Sequence, residues 1–138
     1  MTPARMAQIH AAAFVHERGW TEAEFADLIQ TRFVRVYTHD TGFALTRTLA
    51  GESELLTLAV DPTAQRRGTA RALMRDWLED IASESQTAFL EVAADNDAAL
   101  GLYDQFGFER SGLRRGYYAR AEAPAVDALL MARALTQG

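Results

Sequence analysis

The sequence contains neither cysteine nor lysine, so its 14 basic residues are all arginine. Without a thiol or an ε-amine, the chain cannot form disulfides, thiolate metal sites, a cysteine acyl-enzyme or a Schiff base. The three histidines lack the spacing of metal ligands: His10, His16 and His39. We therefore expect no metal centre and no covalent chemistry through a thiol or an amine.

Long apolar runs are also missing. Neither an 18-residue apolar span nor a signal-peptide core is present, so we expect no membrane segment and a cytoplasmic location. The length of 138 residues predicts a single domain, 1–138. The formal net charge of −5 argues against nucleic-acid binding, which needs a basic face, and suits a basic partner.

Apolar periodicity predicts helices and strands in the order α-α-β-β-β-α-β-α-β-β. The predicted helices are 3–14, 21–30, 68–83 and 96–106, and the predicted strands are 33–37, 43–46, 55–60, 88–93, 108–118 and 126–134. This order predicts an α/β fold in which helices pack on a mixed sheet.

The most informative segment is an apolar strand followed by a turn and a helix start, residues 55–75. Gly68 permits close backbone approach at the helix N-terminus, and three arginines lie nearby: Arg66, Arg67 and Arg71. Unpaired N–H groups beside local positive charge form a site for a phosphate or pyrophosphate. The alternative, of similar weight, is that Gly68 only relieves a tight turn and the arginines are solvated. The glycine spacing matches neither a Walker nor a Rossmann fingerprint.

Several motifs between Leu55 and Met131 resemble the GNAT acetyltransferase superfamily. They are Leu56–Pro62, Gln65–Ala70, Leu90–Val92, Asn96 with Ala98 and Ala99, and Leu102–Tyr103 followed by Phe106–Phe108. Within that superfamily, the runs 114–118 and 127–131 resemble RimI-type enzymes, which acetylate the N-terminal alanine of a ribosomal protein. The resemblance implies a mixed, mostly antiparallel sheet with helices on both faces and splayed central strands that bind acetyl-CoA. The family usually has a strand before its first helix, which this sequence does not predict.

The resemblance also implies how acetyl-CoA, the co-substrate, is held. Backbone groups of Leu58, Ala59 and Val60 would pair with the pantetheine arm like an added strand. Asn96 would contact the same arm, although it is equally suited to cap the following helix. Backbone N–H groups and the helix dipole would hold the pyrophosphate along Gln65, Arg66, Arg67, Gly68, Thr69, Ala70 and Arg71. Thr69 and Ala70 stand where the family more often has an aliphatic residue and a glycine.

Glu91 matches the family's general base and Tyr103 its general acid. An α-amino group with a pKa of roughly 8 must lose a proton before it attacks a thioester, and the departing thiolate must gain one. A backbone N–H of the strand 58–60 would stabilise negative charge that develops on the acetyl oxygen. Without the resemblance, Glu91 is more typical of an edge residue facing water and Tyr103 of a core residue. The absence of cysteine favours direct transfer.

The acceptor groove is expected between the loop 14–20, which contains Trp20, and the pair Tyr117 and Tyr118. Packing roles are the alternatives for all three aromatic residues. We predict acetyl transfer to the N-terminal alanine of a small-subunit ribosomal protein, whose N-terminal peptide is the expected partner. A GNAT enzyme for a small-molecule amine and a non-catalytic acyl-CoA-binding regulatory module are the alternatives, and the presence of Glu91 and Tyr103 disfavours the second.

Overall fold

The computed structural model describes residues 1–15, 18–64, 67–120 and 123–135. Its elements are α1 (Pro3–Ala13), α2 (Glu22–Gln30), β1 (Val34–His39), β2 (Gly42–Leu49), β3 (Glu52–Val60), α3 (Thr69–Ile81), β4 (Thr87–Ala93), α4 (Asp97–Gln105), β5 (Glu109–Tyr118) and β6 (Val126–Ala134). A short 3-10 turn, Pro62–Ala64, follows β3. The predicted order of helices and strands is confirmed. Among the residues described, every helix is too short or too polar for a membrane span.

The hairpin of β2 and β3 is longer than its apolar residues predict. Ala50 and Gly51 form a two-residue turn in which both φ angles are positive, 54° and 84°. This turn brings Leu49 opposite Glu52, so that the pairing extends to the very end of both strands. Two-residue turns with positive φ match the natural twist of a hairpin, which explains why a polar stretch continues as strand.

Helices α1, α2 and α4 begin where the sequence supplies a capping side chain, whereas α3 begins after Gly68 without one. The Thr2 hydroxyl accepts the backbone N–H of Arg5 at 3.1 Å, ahead of Pro3 in the first turn of α1. Thr21 and Glu24 form a reciprocal capping box at the start of α2, as predicted. These caps fix where the chain leaves each loop and therefore how the loops border the site.

The six strands form one sheet in the order β1-β2-β3-β4-β6-β5. All neighbouring pairs are antiparallel except β3 and β4, which are parallel. The parallel ladder joins Glu52–Leu55 to Thr87–Leu90, and within the described residues it extends no further. Beyond Leu55 the two strands diverge, which confirms the predicted splayed centre of the sheet.

Helices pack on both faces of the sheet, as predicted. On β2, Phe43 and Leu45 contact the cluster that α1 and α2 contribute, whereas Ala44 belongs to the cluster around α3. This alternation follows from the period of two along a strand. The same rule applied to β4 places Ala88, Leu90 and Val92 on the α3 side, so Phe89 and Glu91 point to the opposite face.

Trp77 is the largest side chain of the core under α3. It is fully buried, stacks on Phe108 with 5.9 Å between ring centroids, and donates its indole N–H to Ser53 Oγ at 2.8 Å. Ser53 also bonds the Thr48 hydroxyl at 2.9 Å. A helix and the β2–β3 hairpin are thus joined by a satisfied polar contact inside an apolar core.

Replacing Trp77 with phenylalanine is expected to lower the free energy of unfolding by about 2 kcal/mol, because it removes buried area and leaves Ser53 with one partner fewer. Ser53→Ala leaves the indole N–H without its acceptor and is expected to cost about 1–3 kcal/mol. The double variant should cost less than the sum, since both partners of the bond are then gone. Chemical denaturation measures all three values, and strict additivity would contradict the coupling.

Candidate active site

A cleft of about 710 Å³ opens where β3 and β4 diverge. Its walls are the second half of β3, the first turn of α3, the end of β4 and the inner face of α4. The C-terminal end of α1 and the loop after it close one end of the cleft. Pockets at the carboxyl ends of splayed strands are common ligand sites because the backbone there has lost its ladder partners.

The β3 wall of the cleft contains the three residues that the sequence predicts for the pantetheine arm, Leu58, Ala59 and Val60. On their other side they pair with β2. Towards β4 they lie beyond the last ladder pair of the described strands, so their backbone groups face the cleft. An extended ligand can therefore take the place of a neighbouring strand.

The first turn of α3 forms the far end of the cleft. Gly68 has a φ of 81°, a conformation that side chains disfavour, and a Cβ added there would meet nothing within 4 Å. Thr69, Ala70 and Arg71 follow it and line the cleft. The unsatisfied N–H groups of this turn and its helix dipole suit an anion.

Three further residues of the predicted pyrophosphate site are not among the described residues that line the cleft. Gln65 and Arg66 lie outside the described residues. Arg67 is exposed and is not part of the cleft lining, so the structure does not bring it together with Gly68–Arg71 around the cleft.

Asp61 organises the turn that leads from β3 towards this helix start. Its carboxylate accepts the Thr63 backbone N–H at 3.0 Å, the Thr63 hydroxyl at 2.8 Å and the Arg5 guanidinium at 3.1 Å. The backbone N–H of Thr63 is the main reason that the pKa of Asp61 lies below its ordinary value. Sequence analysis missed Arg5, because a contact with Asp61 in another element leaves no local signal.

Glu91 lies on β4 with its side chain at the cleft, where it is 24% exposed. Arg114 Nη2 of β5 lies 3.1 Å from Glu91 Oε1. Sequence analysis did not identify Arg114 as the ion-pair partner of Glu91. The contact depends on the strand order, which places β6 and then β5 beside β4.

Tyr103 reaches the same cleft from α4. It is buried and packs edge-on against Phe108, with 6.2 Å between ring centroids. Burial raises the pKa of its phenol above the ordinary value, and the nearby Tyr118 adds to the effect. The phenol therefore stays protonated well into the alkaline range and is a proton donor rather than an acceptor of protons.

Asn96 combines the two roles that the sequence allows. It is the N-cap of α4, where its Oδ1 accepts the Ala99 backbone N–H at 3.2 Å, and it also lines the cleft. Because the cap uses the carbonyl oxygen, the Nδ2 amide is the group that it can offer to a ligand.

The end of the cleft beside α1 is lined by aromatic residues, among them Trp20 and Tyr118. Tyr117 is 53% exposed and is not part of the lining. Tyr117 packs edge-on against Tyr118, with 5.2 Å between ring centroids. The Arg114 guanidinium lies 5.4 Å from the centroid of the Tyr117 ring. The structure therefore brings Trp20 and Tyr118 to the cleft and leaves Tyr117 outside it.

His10 is a buried member of this end that sequence analysis did not assign. Its Nδ1 accepts the backbone N–H of Trp20 at 3.3 Å, and its ring stacks on Phe14 at 4.5 Å and on Trp20 at 5.0 Å. Burial lowers the pKa of His10 to about 4; Arg18 adds to this effect and Glu24 opposes it. The spacing of His10 and Phe14 on one helix face was the available signal.

We expect His10 to make stability depend on pH. The pKa is 6.5 in the ordinary state and about 4 in the folded protein, so between these values the unfolded chain binds a proton that the folded chain does not. His10 therefore does not lower the free energy of unfolding above pH 6.5. As the pH falls from 6.5 to about 4, preferential protonation of the unfolded chain lowers that free energy by at most about 3 kcal/mol. Urea denaturation across this window should show a shallower loss for His10→Gln than for wild type.

Gln8→Ala is the control for a substitution on α1, because Gln8 is exposed and carries no titratable group. This variant should keep the wild-type slope. The same pH slope in wild type and His10→Gln would contradict the assignment.

Comparison with known proteins agrees with this geometry. The model of the family described as FR47-like protein matches residues 36–118. The chain is 34% identical to the [ribosomal protein bS18]-alanine N-acetyltransferase of Escherichia coli K12 over 91% of its own length and 88% of the relative's. It is 38% identical to N-alpha-acetyltransferase RimI of Mycobacterium tuberculosis, with coverage of 88% and 81%.

The fold is also similar to that of a solved structure. The crystal structure of the ribosomal-protein-S18-alanine N-acetyltransferase from Escherichia coli superposes with a TM-score of 0.87 at 31% identity, over 99% of this chain and 89% of that one. Family, relatives and fold agree. The chain therefore belongs to the GNAT superfamily, as an FR47-like N-acetyltransferase that uses acetyl-CoA as its acetyl donor.

Proposed function

We propose that this enzyme acetylates the α-amino group of a protein N-terminus, and that the acceptor is the N-terminal alanine of a small-subunit ribosomal protein. The observation that carries the chemistry is the convergence of a carboxylate, Glu91, and a buried phenol, Tyr103, on one cleft. The acceptor is supported by the relatives, which are named for this alanine at 34% identity. A ribosomal acceptor would place the reaction in the cytoplasm.

The cleft fits acetyl-CoA, which supplies an activated acetyl thioester. The unpaired side of β3 at Leu58–Val60 would hold the pantetheine arm through backbone hydrogen bonds. The first turn of α3 would hold the pyrophosphate, because Gly68 leaves open space and the N–H groups of Thr69–Arg71 lack partners within the helix. Asn96 would donate its amide to the arm from the opposite wall.

The proton transfers follow from the two side chains. Glu91 would take a proton from the acceptor ammonium, directly or through one water, because a protonated amine has no lone pair for attack. Tyr103 would give its proton to the departing sulfur, since burial keeps the phenol protonated. A β3 backbone N–H would stabilise the charge that develops on the acetyl oxygen. With no cysteine in the chain, we propose direct transfer from donor to acceptor.

The deciding experiment is a peptide acetylation assay. The absence of lysine simplifies its interpretation, because the enzyme has no ε-amine of its own to be acetylated. The substrates are acetyl-CoA and a peptide that begins with alanine and contains one internal lysine. Mass spectrometry is expected to place the acetyl group on the α-amine. A matched peptide with a blocked N-terminus should remain unmodified.

Free alanine and a polyamine serve as the competing substrates in the same assay. Transfer to these small amines without transfer to the peptide would overturn the proposal and favour a small-molecule acetyltransferase. Binding of acetyl-CoA without transfer to any amine would favour a regulatory module.

A further inference from the structure

The sheet carries a second groove on the face opposite α3. This groove has a volume of about 360 Å³ and lies over β4, β6 and β5, which α1 and α2 leave uncovered. Its apolar side chains include Phe89 of β4 and Leu130 of β6, both partly exposed. Glu52 and Glu54 form its β3 side, and Ser111 and Arg114 form its β5 side.

The groove and the cleft meet at Glu91, which lines both cavities. An acceptor whose amine lies beside the Glu91 carboxylate has the cofactor walls, β3 and α3, on one side. The sequence predicts an acceptor groove between the loop 14–20 and the pair Tyr117 and Tyr118, of which Trp20 and Tyr118 line the cleft. This second groove lies beyond them and provides a path for the rest of the acceptor chain on the other side of the carboxylate.

We propose that this groove receives the acceptor polypeptide after its first residue and selects a basic side chain near the third position. The inference rests on the proposed function, because it takes an N-terminal peptide as the acceptor. It adds the class of sequence that the enzyme prefers, which follows from the charge of the groove and not from the chemistry of transfer.

The register of the sheet determines which residue of the acceptor lies beside the acidic side chains of β3. Glu54 pairs with Phe89, which lies two residues before Glu91 on β4, and Glu52 pairs with Thr87, two residues further. An extended chain rises roughly 3.3 Å per residue, so the third residue lies about 7 Å from the amine. A chain that follows β4 from Glu91 therefore presents its third residue beside Glu54, and a long basic side chain also reaches Glu52.

The β3 side of the groove is negative and only weakly neutralised. Glu54 contacts Arg47 at 3.2 Å; the Glu54 side chain is 23% exposed and the Arg47 side chain 56%, so the cation of this pair lies largely in solvent, where an ion pair contributes little. In the part of the chain that the structure describes, no ion pair involves Glu52. On the opposite side Arg114 is engaged with Glu91. The groove therefore favours a cation on its β3 side.

The test compares the KM of three peptides that begin with alanine and differ only at the third residue, which is arginine, glutamine or glutamate. For wild type we expect the KM of the arginine peptide to be about five-fold below that of the glutamine peptide, and the glutamate peptide to be weakest. The double variant Glu52→Gln with Glu54→Gln should remove this difference between the three KM values. High salt should reduce the difference in wild type.

Glu79→Gln is the matched control, because Glu79 is an exposed carboxylate of α3 outside both cavities. It should keep the wild-type preference. Equal KM values for the three peptides, or a preference that survives in the double variant, would overturn the groove assignment alone. If no alanine peptide is acetylated, the proposed function fails, and the groove assignment fails with it.

Discussion

Replacing Glu91 with glutamine is expected to lower kcat/KM for an alanine-initiated peptide by about 10²–10⁴-fold, because the amide cannot accept a proton from the acceptor ammonium. The shape of the side chain and its place between cleft and groove are retained. Acetyl-CoA affinity should therefore stay within about two-fold of wild type, since the binding groups assigned to β3 and α3 are untouched. Steady-state kinetics and calorimetric titration with acetyl-CoA measure the two quantities separately.

The pH dependence separates a base from a residue that only orients the acceptor. An α-amine has a pKa of roughly 8, so at higher pH it is already neutral and needs no base. The defect of Glu91→Gln should consequently shrink as the pH rises through this value, whereas a defect of orientation would stay constant. Glu79→Gln provides the control for removal of one carboxylate. A variant within about three-fold of wild type at neutral pH would refute the role of Glu91 as base.

Much of the fold was predictable because its signals are local. Capping residues such as Thr21 and periodic apolar residues define helices within one or two turns. The splayed centre of the sheet is different in kind. Divergence of β3 from β4 after Leu55 depends on how distant strands pair, so only the family resemblance indicated it from the sequence.

Tyr103 shows the same limit within the site. Helical periodicity places it on the apolar face of α4, and that face would be ordinary core if β3 and β4 stayed paired. The divergence of the strands converts this face into a cleft wall. The contact of Arg114 with Glu91 was beyond sequence analysis for a similar reason, since it requires β5 to lie near β4 across β6.

Tyr117 and Tyr118 give the opposite lesson. Adjacent residues on a strand point to opposite faces, so at most one of the two could line a cleft on one face of the sheet. The sequence held this information, and the structure places Tyr118 at the cleft and leaves Tyr117 exposed. Tyr117 lies outside the cleft and therefore serves as a matched control for Tyr103, the proposed general acid.

Replacing Tyr103 with phenylalanine is expected to lower kcat by about 10²-fold while the KM for acetyl-CoA stays close to wild type. The ring and its contact with Phe108 remain, so the fold should be retained, and only the proton that the departing sulfur needs is lost. Because burial raises the pKa of Tyr103, wild type should keep its activity past the pH at which an exposed phenol ionises. A pH profile of kcat extended into the alkaline range checks this second expectation.

Tyr117→Phe removes a phenol of the same kind from outside the cleft and is expected to leave kcat unchanged. Thermal denaturation of both variants separates a chemical effect from a loss of folded protein. If Tyr103→Phe is folded and turns over at the wild-type rate, water protonates the sulfur and Tyr103 is only a wall of the cleft. If kcat is retained and the affinity for acetyl-CoA falls, the hydroxyl binds the donor instead. Only a fall in kcat at constant acetyl-CoA affinity identifies the phenol as the general acid.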